Sequence, residues 1–339
     1  MEKILTICVP TYNMESLLPR CLDSFILDKE YMDKLEVIIV NDGSKDNSSI
    51  IAHKYEEKFP NTYIVIDKLN GNYGSCVNEA LKIATGKYFR LVDSDDWINT
   101  ENFAQLIDEL TVYTEQLIYT RFTKQFTLEN KSELCSDKYI RFNYVYDLNK
   151  EYIPLNCLAM HGIIVATELL RNIKYVQTEG IPYTDSEFVF YSLSQATTLR
   201  CLDIDIYQYN IGRNEQTMNE RSLVKNYKSF DILYKKILTF SPLKPNLNFK
   251  YLQNEYLYRM VSYMLDIIII YGGYTQMRDL QLRSYLSDLF ESHTIVFSKL
   301  MMKTQNSFQY VRLWYSNKYL GLLVVYLIRG FRILVHNKI

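Results

Sequence analysis

Residues 84–97 read ATGKYFRLVDSDDW, a hydrophobic strand-like run that ends in three carboxylates within four residues. The like charges of Asp93, Asp95 and Asp96 repel one another, so such a group is stable mainly when a cation neutralises it. Hard oxygen ligands at D-x-D spacing predict Mg²⁺ or Mn²⁺ carried on a diphosphate. The alternative is that these acids cap the helix that follows them.

Upstream of this run, short β-branched segments alternate with amphipathic segments of helical length. We predict strands at LTICVP, VIIVND, YIVID and YFRLVD, separated by helices at 15–27, 46–58 and 74–85. This alternation indicates an α/β fold with a mostly parallel sheet flanked by helices. Ligands of such sheets bind at the carboxyl ends of the strands, where the strand order reverses.

The pattern changes further along the chain. We predict that residues 1–215 form the α/β domain and that residues 216–339 form an appended helical module. The expected strands of the later part of the first domain lie near 117–126, 161–166 and 197–209, with a short helix after Tyr183. The expected helices of the module lie near 222–240, 248–271, 276–291 and 318–336.

Composition narrows the class of protein. A chain of 339 residues that is 48% hydrophobic can bury a sizeable core, and a net charge of −1 gives no bulk attraction to nucleic acid. The six cysteines are scattered without a CxxC pair and are expected to be reduced. With no leader sequence and no apolar run of membrane-spanning length, we expect a cytoplasmic protein.

The C-terminal stretch 292–339 contains seven Lys or Arg and no Asp or Glu, and it includes the apolar segment LGLLVVYLI. This pattern favours either a basic amphipathic helix on the inner face of the cell membrane or a helix that docks on its own domain or on a partner chain. The helices after residue 220 are also expected to offer a surface for a homodimer.

The ends of the first three strands carry the remaining polar motifs. The first strand ends in VPTYN, without the GxGxxG of a dinucleotide-binding domain or the GxxxxGK[ST] of a P-loop, which disfavours dehydrogenases, NTPases and pyrophosphorylases. Asp42, after the second strand, could bind a ribose or a base, or could cap the next helix together with Ser44. NGNYG, at 70–74, places backbone N–H groups at a helix N-terminus, or forms a plain turn.

VPTYN, VNDGS, NGNYG with Asn78, and ATGKYFRLVDSDDW, in this order and spacing, resemble family 2 glycosyltransferases of the GT-A (Rossmann-like) fold. The resemblance implies that Asp42 contacts the nucleoside and that Asp93 and Asp95 reach the ribose and the metal ion, with Asp95 as the direct ligand. Val77 stands where many relatives have Arg. The other donor-binding positions that the resemblance implies in these motifs are Pro10, Thr11, Tyr12, Asn13, Asn72, Gly74 and Ser94.

The catalytic base is also assigned through the resemblance. The Glu-Asp pair of the family is similar to residues 183–188, YTDSEF, which places Asp185 in the position of the base. Thr184 replaces the usual Glu, so Glu187 is a second candidate. The alternative is that Thr184 and Asp185 cap the helix that begins there.

Three further positions complete the predicted site. Arg213 and Gln216, in YQYNIGRNEQTM, are similar to a loop that reaches over the diphosphate in some bacterial relatives, or they belong to an ordinary surface loop. We assign His161 and Trp97 to the acceptor side, although a lone His beside an apolar strand is more often structural.

These assignments predict a metal-dependent hexosyltransferase of bacterial polysaccharide biosynthesis, and the resemblance implies that it inverts the anomeric configuration. Its donor would be a nucleotide-diphosphate sugar, with UDP as the expected nucleotide, and its acceptor a hydroxyl of a glycan or lipid-linked chain. The different replacements at Thr184 and Val77 keep a second hypothesis open, in which the chain is a non-catalytic nucleotide-binding partner of an active transferase. A nucleotidyltransferase is disfavoured because the Gly-rich loop is missing.

Overall fold

The computed structural model describes residues 2–135, 138–212, 219–304 and 309–316, together with Leu323 and Leu327. The chain divides into two compact units, the first comprising Met1–Asn214 and Pro242–Phe249 and the second comprising Glu215–Ser241 and Lys250–Ile339. The division thus falls close to residue 215, but Pro242–Phe249 joins the first unit. The functions assigned to the two segments stay predictions.

The first unit is built from strands and helices that alternate along most of its length. Its strands are β1 (Leu5–Thr11), β2 (Leu35–Asn41), β3 (Tyr63–Asp67), β4 (Tyr88–Leu91), β5 (Trp97–Ile98), β6 (Leu117–Phe126), β7 (Lys131–Cys135), β8 (Tyr144–Asp147), β9 (Ile163–Ala166) and β10 (Thr198–Ile211). Its helices are α1 (Leu18–Asp23), α2 (Lys29–Met32), α3 (Ser48–Lys58), α4 (Asn72–Ile83), α5 (Thr100–Val112), α6 (Thr167–Asn172) and α7 (Asp185–Gln195).

One sheet runs through the unit in the order β3-β2-β1-β4-β9-β6-β10-β5, and β7 and β8 pair with β6 and β10. β3, β2, β1 and β4 are mutually parallel, whereas β9 is antiparallel to both β4 and β6. The predicted α/β fold of GT-A type is therefore confirmed, with a parallel first half and a mixed second half. The chain runs outward from β1 to β3 and then returns to β4 on the other side of β1, which creates the expected point of reversal between β1 and β4.

Burial explains which strand predictions were accurate. Every residue of β1 and of β2 is buried, as expected for central parallel strands that read as continuous apolar runs. In α5, the buried side chains are Phe103, Leu106, Ile107 and Leu110, which follow the spacing of one helical face. The predicted helix 15–27 is shorter in the structure, since α1 begins only at Leu18, next to Pro19, a residue that suits the first turn of a helix.

The described part of the second unit is helical. Its helices are α8 (Glu220–Lys225), α9 (Tyr227–Thr239), α10 (Phe249–Ile269), α11 (Gln276–Ser292), α12 (Thr294–Met301) and α13 (Tyr310–Ser316). Buried acids join these helices: Asp231 of α9 accepts a hydrogen bond from Gln281 of α11, and Asp279 of α11 accepts one from the indole N–H of Trp314. The predicted helix 318–336 lies almost entirely outside the described residues.

No helix in the described part of the chain is long and apolar enough to cross a membrane. The predictions of cytoplasmic location, of membrane docking and of a homodimer surface stay predictions.

His53 of α3, which lies beside the edge strand β3, makes the stability of the fold depend on pH. His53 is hydrogen-bonded to Asp67 and to Glu56, each at 2.8 Å, and these bonds raise the pKa of the imidazole above its ordinary value of 6.5. The stabilisation is therefore fully present below pH 6.5 and is lost as the pH rises through the raised pKa.

We predict that the thermal unfolding midpoint of His53→Gln lies further below that of the native protein at about pH 6 than at about pH 9. The side chain is 42% exposed, so its contribution should not exceed about 1 kcal/mol. A difference between the two midpoints that stays constant with pH would contradict this assignment.

Candidate active site

The acidic loop after β4 lies at the carboxyl edge of the sheet. One carboxylate oxygen from each of Asp93, Asp95 and Asp96 lies within 4.8 Å of the others. The acids do not cap the following helix, because Trp97 and Ile98 first form β5 and α5 begins at Thr100 without a side-chain cap. The three carboxylates thus form a cluster that could hold a metal ion.

Asp96 anchors this loop. Its side chain is buried and accepts hydrogen bonds from the hydroxyl of Tyr207 at 2.5 Å and from the backbone N–H of Asn210 at 2.8 Å. Burial, followed by the charge of Asp93, raises the pKa of the Asp96 carboxyl well above its usual range. The Tyr207 hydroxyl also accepts a bond from the backbone N–H of Asp93 at 3.2 Å. β10 therefore holds the loop at two points.

Asp93 and Asp95 are the partly exposed members of the cluster. The hydroxyl of Tyr73 donates to the Asp93 carboxylate at 3.0 Å. Arg20 and Asn210 donate to the backbone carbonyl of Asp95, at 3.1 and 3.2 Å, and so fix its main chain. This donor set fits Mg²⁺ or Mn²⁺, which bind hard oxygen ligands and commonly use one or two protein carboxylates.

Asp42 lies at the end of β2, as predicted, but its carboxylate is already engaged. It accepts hydrogen bonds from the ammonium of Lys68 at 2.7 Å and from the backbone N–H groups of Gly71 and Asn72 at 2.8 and 2.9 Å. A carboxylate has about four acceptor positions, and since this side chain is only 3% exposed and the Cys76 thiol also acts on it, the protein itself occupies most of them. Asp42 does not cap α3, whose N-cap position is Asn47.

The VPTYN motif and the loop after β2 are joined directly. Asn13, at φ 53°, donates from its backbone to the Ser44 hydroxyl at 3.0 Å, and its side chain accepts from the backbone N–H of Lys45 at 2.8 Å. Pro10 and Thr11 are buried within β1, whereas Tyr12 is 42% exposed. Tyr12 and Asn13 are thus the donor-side candidates of this motif that solvent reaches.

Gly74 and Asn78 of α4 serve the packing of the site. A Cβ atom at Gly74 would lie 2.0 Å from the carbonyl oxygen of Thr178, so only glycine permits this approach. Asn78 donates to the carbonyl of Gln177 at 2.9 Å and accepts from its N–H at 2.8 Å. α4 therefore fixes the segment that leads into α7.

The two candidate bases have different surroundings. Asp185 is the first residue of α7 and is partly exposed. Glu187 is 1% exposed, and its carboxylate accepts a hydrogen bond from the backbone N–H of Thr178 at 3.0 Å. Thr184 makes no side-chain cap, and its hydroxyl accepts from Gln177 at 2.8 Å. Asp185 is therefore the better placed of the two to meet a substrate.

The charges of the acidic loop and of Asp185 act on two tyrosines. The pKa of Tyr73 is raised well above its usual range by burial and then by the charges of Asp93 and Asp185. The pKa of Tyr209 is raised to about 12 by burial and then by Asp96, Asp93 and Asp185. Both hydroxyls thus lie within electrostatic range of the predicted metal site and of the predicted base.

The two predicted acceptor residues are not brought together. His161 stacks on Tyr209 with ring centroids 4.2 Å apart and meets Tyr207 edge-on at 4.9 Å. The guanidinium carbon of Arg20 lies 3.7 Å from the ring centroid of Trp97. Both residues line a cavity of about 910 Å³, which Gln208 also lines. Since side chains alternate along β10, His161 and Trp97 lie on opposite faces of the sheet.

Some residues that hold the candidate site in place carried no recognisable pattern in the sequence. Two residues predicted for the site lie outside the described part of the chain. Tyr73, Tyr207 and Lys68 hold the acidic loop and Asp42, yet the first two are among 30 tyrosines of the chain. Arg213 and Gln216 lie outside the described residues, so their placement over the diphosphate stays a prediction.

The fold defines an α/β protein of GT-A type, and comparison with known proteins gives the family. The model of Glycosyl transferase family 2 matches residues 6–173. An uncharacterised glycosyltransferase of Mycoplasma pneumoniae is 31% identical over 234 residues, which are 67% of this chain and 74% of the relative. The chain therefore belongs to glycosyltransferase family 2.

Two other comparisons show the extent of the likeness. A second uncharacterised glycosyltransferase of Mycoplasma pneumoniae is 39% identical over 105 residues, which are 30% of this chain and only 35% of that relative. The crystal structure of S. aureus TarS in complex with UDP-GlcNAc superposes with a TM-score of 0.64 at 19% identity, and the match covers 96% of this chain and 89% of that one. The likeness to TarS shows that the two proteins share a fold.

We predict that Tyr207→Phe weakens metal-dependent nucleotide binding by about tenfold, because the change removes the side-chain hydrogen bond to Asp96 and leaves that carboxyl group with only the backbone partner described above. Titration of UDP in the presence of Mn²⁺ measures the effect. Tyr209→Phe, on the same strand but without a described bond to the acidic loop, is the matched control. Equal affinities of the native protein and Tyr207→Phe would show that Asp96 needs no such anchor.

Proposed function

We propose that this protein transfers a sugar from a UDP-sugar to a hydroxyl of a glycan or lipid-linked acceptor, with inversion at the anomeric carbon. The observation that carries the proposal is the arrangement around Tyr73, whose hydroxyl is bonded to Asp93 and lies within electrostatic range of Asp185. The charges of both Asp93 and Asp185 act on this one hydroxyl, which supports a proposed metal site and a proposed base close to each other. Single displacement by a hydroxyl needs both.

The donor is proposed to lie across the ends of β1, β2 and β4. The remaining acceptor position of Asp42 suits the N–H of a uracil or a ribose hydroxyl, and the exposed ring of Tyr12 can stack on a base. The complex of TarS with UDP-GlcNAc, a protein of the same fold, supports UDP as the nucleotide.

Asp95 and Asp93 would hold the metal ion. When bound, Mn²⁺ or Mg²⁺ supplies positive charge to the diphosphate as it departs with the nucleoside. Asp96 keeps the loop in shape through Tyr207 and Asn210, so the two partly exposed acids stay in position for a ligand. The family relationship and the chemistry of the donor set support this assignment.

Asp185 is proposed to take the proton of the acceptor hydroxyl. Its place at the N-terminus of α7 holds the carboxylate on a rigid element, and α4 supports that element through Asn78 and Gln177. Glu187, which is buried against Thr178, is instead proposed to position the start of α7.

We predict that Asp185→Asn lowers the rate of sugar transfer by about 100-fold to 10,000-fold while UDP binding persists, because the variant keeps the donor site and loses the base. Glu187→Gln retains an oxygen that can accept the hydrogen bond from Thr178, so its rate of sugar transfer should fall by less than about tenfold. Transfer from radiolabelled UDP-sugars in the presence of Mn²⁺ measures both rates, and the anomeric configuration of the product tests inversion.

Two outcomes would contradict the proposal. Unchanged transfer by Asp185→Asn would exclude this residue as the base. Binding of UDP without transfer or donor hydrolysis by the native protein would favour a nucleotide-binding partner subunit instead.

A further inference from the structure

Arg90 of β4 carries a buried charge to which the proposed mechanism assigns no role. Its side chain is fully buried, and its Nη2 donates to the backbone carbonyl of His161 at 2.6 Å. Nε and Nη1 are buried without a hydrogen-bond partner among the described residues. Burial lowers the pKa of the guanidinium to about 10, so the group is still charged at neutral pH. Burying such a charge costs free energy, and one short hydrogen bond joins it to the segment at His161.

The segment that Arg90 holds is a short 3₁₀ turn, Met160–Gly162, which precedes β9. The ring of its central residue stacks on Tyr209 of β10 with centroids 4.2 Å apart. A Cβ atom at Gly162 would lie 2.6 Å from the carbonyl oxygen of Thr120, so the turn lies directly against β6. The turn therefore packs on β6 and β10, and Arg90 fixes it from β4.

This turn contacts two parts of the candidate site. The sulfur of Met160 lies 3.4 Å from the hydroxyl of Tyr73, which is bonded to the carboxylate of Asp93. α7, the helix that begins at Asp185, also packs against the turn. A displacement of the turn would thus move both the side chain that holds the acidic loop and the helix that carries the proposed base.

The acidic loop has anchors of its own that do not depend on Arg90. The guanidinium carbon of Arg90 lies 5.6 Å from the ring centroid of Tyr207, but the hydroxyl of that tyrosine is bonded to Asp96. The backbone N–H of Asn210 donates to the same carboxylate. A change at Arg90 is therefore expected to affect the turn more than the loop.

We propose that Arg90 is a positioning residue for sugar transfer: by holding the turn Met160–Gly162, it sets where Tyr73 and α7 lie relative to each other. This inference rests on the proposed function and adds a residue that touches neither the substrates nor the metal ion. A reacting group misplaced by about 1 Å can lose about 100-fold in rate, so a small shift of the turn is enough to slow the reaction.

Arg90→Lys tests this role, because lysine keeps the positive charge but its shorter side chain does not place a donor where Nη2 lies. The kcat for sugar transfer should fall by about tenfold, the cost of one hydrogen bond, while the affinity for UDP with Mn²⁺ changes by less than about threefold. Arg90→Met, which has neither charge nor donor, should lower kcat further. Arg200→Met removes a partly buried arginine that pairs with Glu115 at the start of β10, so it is the matched control and should keep the native kcat.

Hydrogen exchange reports on the turn without any substrate. The backbone N–H of Gly162 is hydrogen-bonded within the segment that forms the turn, and that of Glu187 is hydrogen-bonded at the start of α7. Exchange at these two groups should be about tenfold faster in Arg90→Lys than in the native protein, because local opening becomes easier. Exchange in β1 should not change, and Arg200→Met should show native exchange at the turn and at α7.

Three results would overturn the inference: a native kcat in Arg90→Lys, a loss of kcat with native exchange at the turn, or equal losses of kcat and of UDP affinity. The last result would assign Arg90 to the donor site. The lysine variant decides alone if Arg90→Met does not fold. If the native protein transfers no sugar, the proposed function fails, while the exchange comparison still decides whether Arg90 fixes the turn and the start of α7.

Discussion

The arrangement of the candidate site depends on how the fold offsets the electrostatic repulsion among three carboxylates at the end of β4. Asp93, Asp95 and Asp96 lie within 4.8 Å of one another, and only Asp96 is fully withdrawn from solvent. Its hydrogen bonds to Tyr207 and to the backbone of Asn210 bring β10 against the loop, although more than 100 residues separate them in the chain. The two remaining acids stay partly exposed, and they are the proposed ligands of a cation. The order of the sheet, with β10 beside β5 and β6, is what makes this arrangement available.

A second network gives the donor side its shape. Lys68, Gly71 and Asn72 converge on the carboxylate of Asp42, so the loop before α4 is fixed to the end of β2. α4 then carries Tyr73 to the acidic loop and Asn78 to the segment before α7. One helix thus joins the loop at Asp42 to both the predicted metal site and the segment before the predicted base, and the close approach of Gly74 to Thr178 is part of this packing.

The sequence predicted the first half of the sheet to within about two residues, because strands buried on both faces read as continuous apolar runs. It did not predict β7, whose residues are mostly exposed and carry no apolar periodicity, or β8. The acids of the site were predictable because they follow a strand at D-x-D spacing. Tyr207 and Lys68 were not, since their roles arise from pairings across 111 and 26 residues that no local pattern records.

Isothermal titration of UDP, with and without Mn²⁺, into native protein and Asp95→Ala tests the central claim most directly, with Asp108→Ala on α5 as a control for the loss of an exposed carboxylate. The account predicts binding that requires Mn²⁺, that is lost in Asp95→Ala and that persists in Asp108→Ala. Metal-independent binding of equal strength in all three proteins would contradict the assignment of the acidic loop to a metal-bound nucleotide.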